Sequence, residues 1–402
     1  MNCFDDEKVN INALKKKAFN YRWAEVPDGV IPLTAADPDY PVAPEIQSAM
    51  QNYISDGYFS YTPKTGFEEF KESFVKYVKD LKNEDIDPRL VLPLDSAARS
   101  MFVIAQTFLR PGDEMIVFDP CDFLFRSSCI SSGATPVPVP VKLDPTNRKM
   151  DLSQIEKYIT PHTKMLGLCN PHNPYGLSYT RRELEYIMEI CEKHNLLIMN
   201  DEIWSDIIYP DGEFNSIYSL GNERCNRVLS VFGYSKSFGL AGLRIGCVYT
   251  TDKDKFQAIV DHSDVMSTAG GATSISQVAA IAAMNHARYW VKDFVSHLTE
   301  NRDYAVDFIN HQPYLHAYKP KATYLLYVDI SETGMTGAEF CDYLKREVNL
   351  ALIPGGHEFF GDQSEGHIRI CIATSTKILH DGMNRLQMGM EHLAAAKSGA
   401  KE

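Results

Sequence analysis

The segment YSKSFGLAGLRIG, Tyr234–Gly246, places one lysine between two serines and follows it with three glycines and a single arginine. The apolar run RVLSVFG at 227–233 comes immediately before it and predicts a buried strand that ends just before Lys236. In open α/β sheets, ligands bind outside the carboxyl ends of the strands. Lys236 is therefore a candidate functional residue, and Arg244, whose planar guanidinium is always charged, is a candidate ligand of an anion.

Two more polar clusters follow predicted strands in the same way. The strand predicted at Lys164–Cys169 leads into NPHNPYG at 170–176, and the run LLIMN at 196–200 delivers Asp201 at its end. Because the carboxyl ends of parallel strands meet at one edge of a sheet, these clusters and the Lys236 segment are expected on one rim.

Between these two strands the sequence predicts a helix. Thr180 and Glu183 have the spacing of a capping box, and apolar residues follow at positions i, i+3, i+4 and i+7, so the helix is expected at Arg181–His194. Strands that alternate with such helices are typical of an α/β fold with a mostly parallel sheet. The predicted division is an N-terminal arm at 1–50 that packs on the small domain, a large domain at 51–284, and a small C-terminal domain at 285–402.

The composition narrows the class of partner. The chain has 40 basic and 53 acidic residues, a net charge of −13, which argues against a nucleic-acid surface and against binding to anionic membranes. Its nine cysteines are scattered without a CxxC pair, so we expect no metal site and a reducing compartment. The N-terminus lacks the pattern of a signal peptide, and no apolar stretch reaches membrane-spanning length. The sequence thus predicts a cytoplasmic protein with a small-molecule partner.

A lysine at a strand end can be a mere surface charge, or it can form a Schiff base with pyridoxal phosphate. That cofactor needs an acid at its pyridine nitrogen and groups that hold its phosphate. Asp201 suits the first role, because a carboxylate stabilises a protonated ring. Ser96 and Ala97 precede a predicted helix whose amides would face the phosphate, and Ser235 and Arg244 add a hydroxyl and a cation.

Several motifs together indicate a family. The run Ser235–Gly246 resembles the lysine segment of the class I/II aminotransferases, the fold-type-I pyridoxal-phosphate enzymes, and NPHNPYG resembles their NPxNPTG loop. NDEIW at 200–204, YTPKTG at 61–66 and GHIRICIA at 366–373 are similar to three further family segments. The resemblance covers nearly the whole chain. It implies a large domain with a mostly parallel, seven-stranded type of sheet flanked by helices, plus a smaller α/β domain.

The same resemblance implies roles for individual residues. Asn173 would donate to the phenolic oxygen of the cofactor and contact the substrate, and Arg369 would bind the substrate α-carboxylate. Tyr61 would reach the phosphate of a neighbouring subunit, which implies a homodimer with shared active sites. The expected substrates are an amino acid and a 2-oxo acid.

At three positions the chain departs from the family pattern. Gly233 stands where the family often has a phosphate-binding hydroxyl, and Trp204 stands where a tyrosine usually contacts the phenolic oxygen, although core packing of Trp204 is equally compatible with the sequence. Asp122 falls where an aromatic ring normally stacks on the cofactor. Either Phe123 takes over that stacking or the ring is covered differently; a carboxylate that faces the ring would suit a substrate with a second amino group.

The sequence is compatible with more than one reaction. The lysine segment, with Gly239 and Arg244, is aminotransferase-like, whereas ADPDYPVAPEI at 36–46, PHNP and ATYLLYVD resemble the cystathionine β-lyase, or carbon-sulfur lyase, branch. Because the lysine segment contacts cofactor and substrate directly, the sequence favours transfer of an amino group, with β-elimination as the alternative. Decarboxylation and a purely ligand-binding role are the remaining hypotheses.

Overall fold

The structure is a computed structural model that describes residues 3–144 and 149–399. Its strands are β1 Ile31–Pro32, β2 Val91–Leu94, β3 Glu114–Asp119, β4 Thr135–Pro140, β5 Thr163–Cys169, β6 Leu197–Asp201, β7 Val228–Gly233, β8 Gly246–Tyr249, β9 His316–Ala317, β10 Leu325–Asp329, β11 Leu350–Ala351, β12 Ile353–Pro354 and β13 His367–Cys371. Its α-helices are α1 Ile11–Lys17, α2 Pro44–Ser55, α3 Glu68–Lys82, α4 Ala97–Phe108, α5 Phe123–Ser131, α6 Arg181–Lys193, α7 Ser235–Phe238, α8 Lys253–His262, α9 Ser274–His286, α10 Arg288–Asn310, α11 Gly337–Val348 and α12 Thr376–Gly399.

A seven-stranded sheet forms the centre of the molecule, in the order β2-β8-β7-β6-β5-β3-β4. Its neighbours pair in parallel except where β8 runs antiparallel to β2 and β7. Nearly every side chain of β5, β6 and β7 is buried, as expected for strands whose two faces are both covered. The predicted α/β fold with a mostly parallel, seven-stranded sheet is confirmed.

The local predictions around β5 and β6 are also confirmed. The capping box forms in full, because Thr180 accepts from the Glu183 amide and Glu183 accepts from the Thr180 amide. Helix α6 ends at Lys193, one residue before the predicted end, since His194 leaves the helical conformation. Leu184, Ile187, Met188 and Cys191 are buried, as their spacing predicts.

A second sheet, antiparallel in the order β12-β13-β10-β9, lies in the C-terminal part of the chain. The N-terminal arm contacts this part through β1, which pairs in parallel with β11. A buried ion pair between Arg22 and Asp39 joins two segments within the arm. The boundaries at 50 and 284 that the sequence suggests stay a prediction.

Among the described residues, no helix combines the length and the apolar character that crossing a membrane requires.

Candidate active site

A cavity of about 380 Å³ opens at the carboxyl ends of β5, β6 and β7. Except for Tyr61, the predicted site residues all line it: Lys236, Asp201, Asn173, Ser96, Ala97, Trp204, Ser235, Arg244, Phe123 and Arg369. A larger cavity of about 770 Å³ lies between α3, α10 and the segment at 205–214, and none of these residues lines it. Because the predicted chemistry converges on the smaller cavity, we take that one as the candidate active site.

Lys236 reaches the cavity because β7 ends at Gly233 and the chain turns at once into the short helix α7. Its Nζ donates to the backbone carbonyl of Ala36 at 2.7 Å and lies 5.6 Å from the centroid of the Trp204 ring. Burial lowers the pKa of the Lys236 amine, and the charge of Arg369 lowers it further, while Asp37 acts in the opposite direction. A neutral, nucleophilic amine is therefore favoured at this position.

One end of the cavity suits a phosphate. Ser96 caps α4 by accepting from the Arg99 amide at 3.0 Å, and Arg244 donates to the same hydroxyl at 3.1 Å. The amides in the first turn of α4, at Ala97 and the residues after it, point toward the cavity end of the helix, where an anion is favoured. Arg244 has a left-handed backbone with φ 52°, an uncommon conformation for a residue other than glycine.

Two glycines shape this end. A Cβ on Gly246 would clash with the amide of Ala97, so β8 approaches the start of α4 more closely than a side chain would allow. A Cβ on Gly233 would lie 3.1 Å from Ile203 Cδ1 and 3.2 Å from Ala97 Cβ. Gly233 offers no hydroxyl and little space for one, so the groups at this end that could bind a phosphate are those of Ser96, Ser235 and Arg244 together with the helix amides.

Asp201 is the last residue of β6 and is 6% exposed. Its Oδ1 accepts from the Ile203 amide at 3.0 Å. Burial raises the pKa of Asp201 to about 7, although that hydrogen bond and the charge of Lys236 act in the opposite direction. A cationic ring nitrogen beside Asp201 would compensate for the cost of burying its charge, so the residue fits a protonated pyridine.

Arg369 enters the cavity from the second sheet, on β13, and is 8% exposed. Its Nη1 donates to Asn173 Oδ1 at 3.4 Å, while its Nε has no hydrogen-bond partner among the described residues. The Phe360 ring centroid lies 5.0 Å from its guanidinium carbon. A buried and poorly paired guanidinium is suited to an incoming carboxylate, which can accept two parallel hydrogen bonds.

Asn173 connects Arg369 to Asp122. Its Nδ2 donates to Asp122 Oδ2 at 2.8 Å, and Asp122 Oδ1 accepts from the Leu124 amide at 3.0 Å and so caps α5. Both Asp122 and the partly exposed Phe123, at the start of α5, line the cavity. Which of the two covers a bound ring stays a prediction.

The remaining predicted residues differ in their placement. Trp204 is buried, lines the cavity and packs edge-on against Tyr324 at 4.7 Å, so packing and a ligand contact coexist. Tyr61 lies outside the cavity and is 89% exposed, within a segment whose Tyr58 and Phe59 are also exposed. Its predicted role in a neighbouring subunit stays a prediction.

Sequence reasoning missed the particular residues with which the N-terminal arm lines the cavity. Ala35, Ala36 and Asn20 line the cavity, and the Ala36 carbonyl accepts from both Lys236 and the Tyr324 hydroxyl. A backbone carbonyl on a small residue carries no signal in the sequence, so only the folded chain reveals this contact.

Comparison with known proteins agrees with this geometry. The family model described as aminotransferase class I and II matches residues 28–386. The chain belongs to this family. An aspartate aminotransferase of Pyrococcus horikoshii is 28% identical over 366 residues, which are 90% of this chain and 91% of that protein.

Solved structures show the same fold. The aromatic aminotransferase of Pyrococcus horikoshii OT3 matches with a TM-score of 0.84 at 27% identity and covers 92% of this chain and 98% of its own. Cystalysin of Treponema denticola, whose structure contains a pyridoxal 5′-phosphate cofactor, matches with a TM-score of 0.90 over 98% of this chain and all of its own. At 22% identity, this second likeness concerns the fold alone.

Family membership makes the chain an enzyme, and the solved structure of a putative aminotransferase of Clostridium difficile 630, 26% identical, contains bound pyridoxal phosphate, the cofactor of the family. The donor set fits that group: an acid for the ring nitrogen, a helix start with two hydroxyls and an arginine for the phosphate, and a lysine amine between them. The class of enzyme is thus an aminotransferase dependent on pyridoxal phosphate.

Proposed function

We propose that the protein transfers the α-amino group of an L-amino acid to a 2-oxo acid, with Lys236 as the reacting amine. The observation that carries the proposal is that Lys236 and Arg369 line the same cavity. The Lys236 amine donates to a neutral carbonyl, and the buried Arg369 guanidinium is poorly paired. When bound, pyridoxal phosphate supplies an electrophilic carbon and a protonated ring that accepts electrons.

In this proposal Lys236 would hold the cofactor, and its free amine would take the proton from the substrate Cα. A general base must be neutral to do so, and burial lowers the pKa of Lys236 in that direction. Arg369 holds the α-carboxylate and so orients the Cα–H bond toward the lysine, a positioning effect that can contribute several kcal/mol. Trp204 and the arm at Ala36 cover part of the Lys236 side chain.

The other site residues would hold the cofactor. Asp201 keeps a proton on the ring nitrogen, Asn173 donates to the phenolic oxygen, and Phe123 or Asp122 covers the ring. Ser96, Ala97, Ser235 and Arg244 bind the phosphate at the start of α4.

The proposal includes a homodimer in which Tyr61 reaches the phosphate of the partner's site. It is supported by the exposed aromatic side chains at 58–61, with Tyr58 81% and Phe59 62% exposed, since such rings are normally covered by a contact. Each of the nine cysteines lies in the described part of the chain and is free, which suits a reducing compartment, so we place the enzyme in the cytoplasm.

The test is a half-reaction. Holoenzyme is mixed with one amino acid at a time, without an oxo acid, and the visible spectrum of the cofactor is followed. Transamination converts the cofactor stoichiometrically to its aminated form, and adding an oxo acid restores the original spectrum. If the spectrum persists while pyruvate and ammonia accumulate from cystathionine or cysteine, the carbon-sulfur lyase function, which the segments at 36–46 and 171–174 suggest, replaces the proposal.

A further inference from the structure

The charged side chains that line the candidate active site exceed those that the proposed function uses. The charged lining residues are Lys236, Arg244, Arg369, Asp201 and Asp122. The proposal uses the charge of four of them, at the reacting amine, the phosphate, the α-carboxylate and the ring nitrogen. It makes no use of the charge of Asp122, since covering the ring, the role that Asp122 could share with Phe123, needs no carboxylate.

The carboxylate of Asp122 lies one side chain away from the carboxylate-binding arginine. Hydrogen bonds run from Arg369 Nη1 to Asn173 Oδ1 at 3.4 Å, and from Asn173 Nδ2 to Asp122 Oδ2 at 2.8 Å. An amino acid whose α-carboxylate rests on Arg369 would therefore place its side chain within a few ångströms of Asp122. The capping bond from Leu124 fixes the carboxylate in that position.

The charge of Asp122 acts on the whole site. It raises the pKa of Arg369 and of Lys236 against the lowering effect of burial, and it adds to the burial that raises the pKa of Asp201. Two hydrogen bonds leave the carboxylate with further capacity to accept, because an ionised carboxylate has about four lone-pair sites. A substrate side chain that enters this region meets a negative field.

We propose that Asp122 is a specificity-determining residue that disfavours donors with an acidic side chain and favours donors with a cationic one. The inference rests on the proposed function, because it takes Arg369 as the site of the α-carboxylate. The donor class differs from the one in the name of the Pyrococcus horikoshii relative, an aspartate aminotransferase. The Coulomb energy of two unit charges about 6 Å apart, at an effective dielectric constant near 20, corresponds to a preference between a charged and a neutral donor side chain on the order of 100-fold.

The first experiment uses acids of equal main-chain length that have no primary amine, and therefore cannot react with the cofactor aldehyde, as probes of the holoenzyme. Dissociation constants of glutarate, valerate and 5-guanidinovalerate are measured from the change in cofactor absorbance. Each probe has one carboxylate for Arg369, and the far end is negative, neutral or positive. We expect wild-type enzyme to bind 5-guanidinovalerate most tightly and glutarate least tightly, with at least a tenfold spread, and Asp122→Asn to remove most of that spread.

The second experiment measures kcat/KM for glutamate, norvaline and ornithine with a common oxo acid. Asp122→Asn and Asp122→Ser both keep a side chain that can cap α5, and both should shift the ornithine-to-glutamate ratio toward glutamate by at least tenfold. Asp252→Asn, which changes the cap of α8 away from the site, is the matched control and should leave the ratio unchanged. A variant that only disturbs Asn173 would lower kcat/KM for all three donors by the same factor.

The outcomes separate the two proposals. If no donor is transaminated but the three acids are discriminated through Asp122, the proposed function fails and the specificity inference stands. A wild-type preference for glutarate and glutamate, or a preference that Asp122→Asn and Asp122→Ser leave unchanged, would overturn the inference while the transfer reaction could still hold.

Discussion

Lys82 and Lys236 differ in their surroundings, which shift the pKa values of the two amines in opposite directions. Lys82 ends α3 with its side chain 2% exposed, and its Nζ lies 2.8 Å from Glu202 Oε2 and 3.9 Å from Glu84 Oε1. Burial alone would lower the pKa of Lys82, but the charges of Glu202 and Glu84 raise it above its usual value. For Lys236, whose hydrogen-bond acceptor is the neutral Ala36 carbonyl, burial lowers the pKa.

The difference shows that burial alone does not make a lysine reactive. The ion pair with Glu202 fixes Lys82 as a cation that holds α3 to the sheet, because Glu202 directly follows β6. The same strand end places Asp201, the neighbour of Glu202, in the candidate active site with a pKa raised to about 7. One strand end therefore supplies a structural ion pair on one side and a candidate cofactor-binding acid on the other.

The largest expected effect comes from removing the reactive lysine. Lys236→Ala should lower turnover at least ~10³-fold, because general base and nucleophile are lost together. Thermal stability should change little, since the side chain is only half-buried and leaves no ion pair broken. Steady-state kinetics and a thermal melt measure the two quantities, and turnover near the wild-type rate would remove Lys236 from the mechanism.

Removing the structural lysine, Lys82, should instead lower the stability of the fold. Lys82→Met leaves the buried carboxylate of Glu202 without its cation and should lower the free energy of unfolding by about 3–5 kcal/mol. Lys255→Met is the matched control, because Lys255 forms an ion pair of the same 2.8 Å length with Asp252 nearer the surface. Breaking that pair should cost less than about 1 kcal/mol. Equal losses in the two variants, measured by urea denaturation, would contradict the structural role of Lys82.

Part of this arrangement could be predicted from the sequence. Features that depend on neighbouring residues were predictable, and contacts between residues far apart in the chain were not. Asp201 and Lys236 were predictable because each follows an apolar run, and the side-chain pattern of a buried strand tells where it ends. Asn173 and Arg369 needed the family resemblance, since neither has a local signal of its own. The bond from Lys236 to Ala36 spans 200 residues, and that from Lys82 to Glu202 spans 120, so no local pattern could reveal either.

Glu84 should make the stability of the Lys82 cluster depend on pH. Its carboxyl is 1% exposed, and burial raises its pKa well above the usual value. The unfolded chain releases this proton near pH 4.5, whereas the folded chain keeps it, so wild-type stability falls as pH rises above that value, by about 1.4 kcal/mol per pH unit until the folded pKa is reached.

Glu84→Gln removes this titration and keeps the shape of the side chain. Its stability relative to wild type should grow between pH 5 and pH 9, as measured by denaturant unfolding at several pH values. Parallel pH curves for the two proteins would mean that Glu84 is already ionised in the folded state.

The smallest expected effect is a difference in the acetylation rates of the Lys236 and Lys82 amines. In the cofactor-free enzyme at pH 8, a lowered pKa gives Lys236 a larger neutral fraction, and each unit of pKa corresponds to a factor of ten in that fraction. Acetic anhydride should therefore acetylate Lys236 at least ~10-fold faster than Lys82, whose pKa is raised and whose side chain is enclosed. Peptide mass spectrometry gives both rates, with the exposed Lys64 as internal reference for reagent activity. In urea the two rates should converge, because unfolding removes Glu202 from one amine and the buried environment from the other; rates that are equal in the folded enzyme would contradict the assignment of opposite roles.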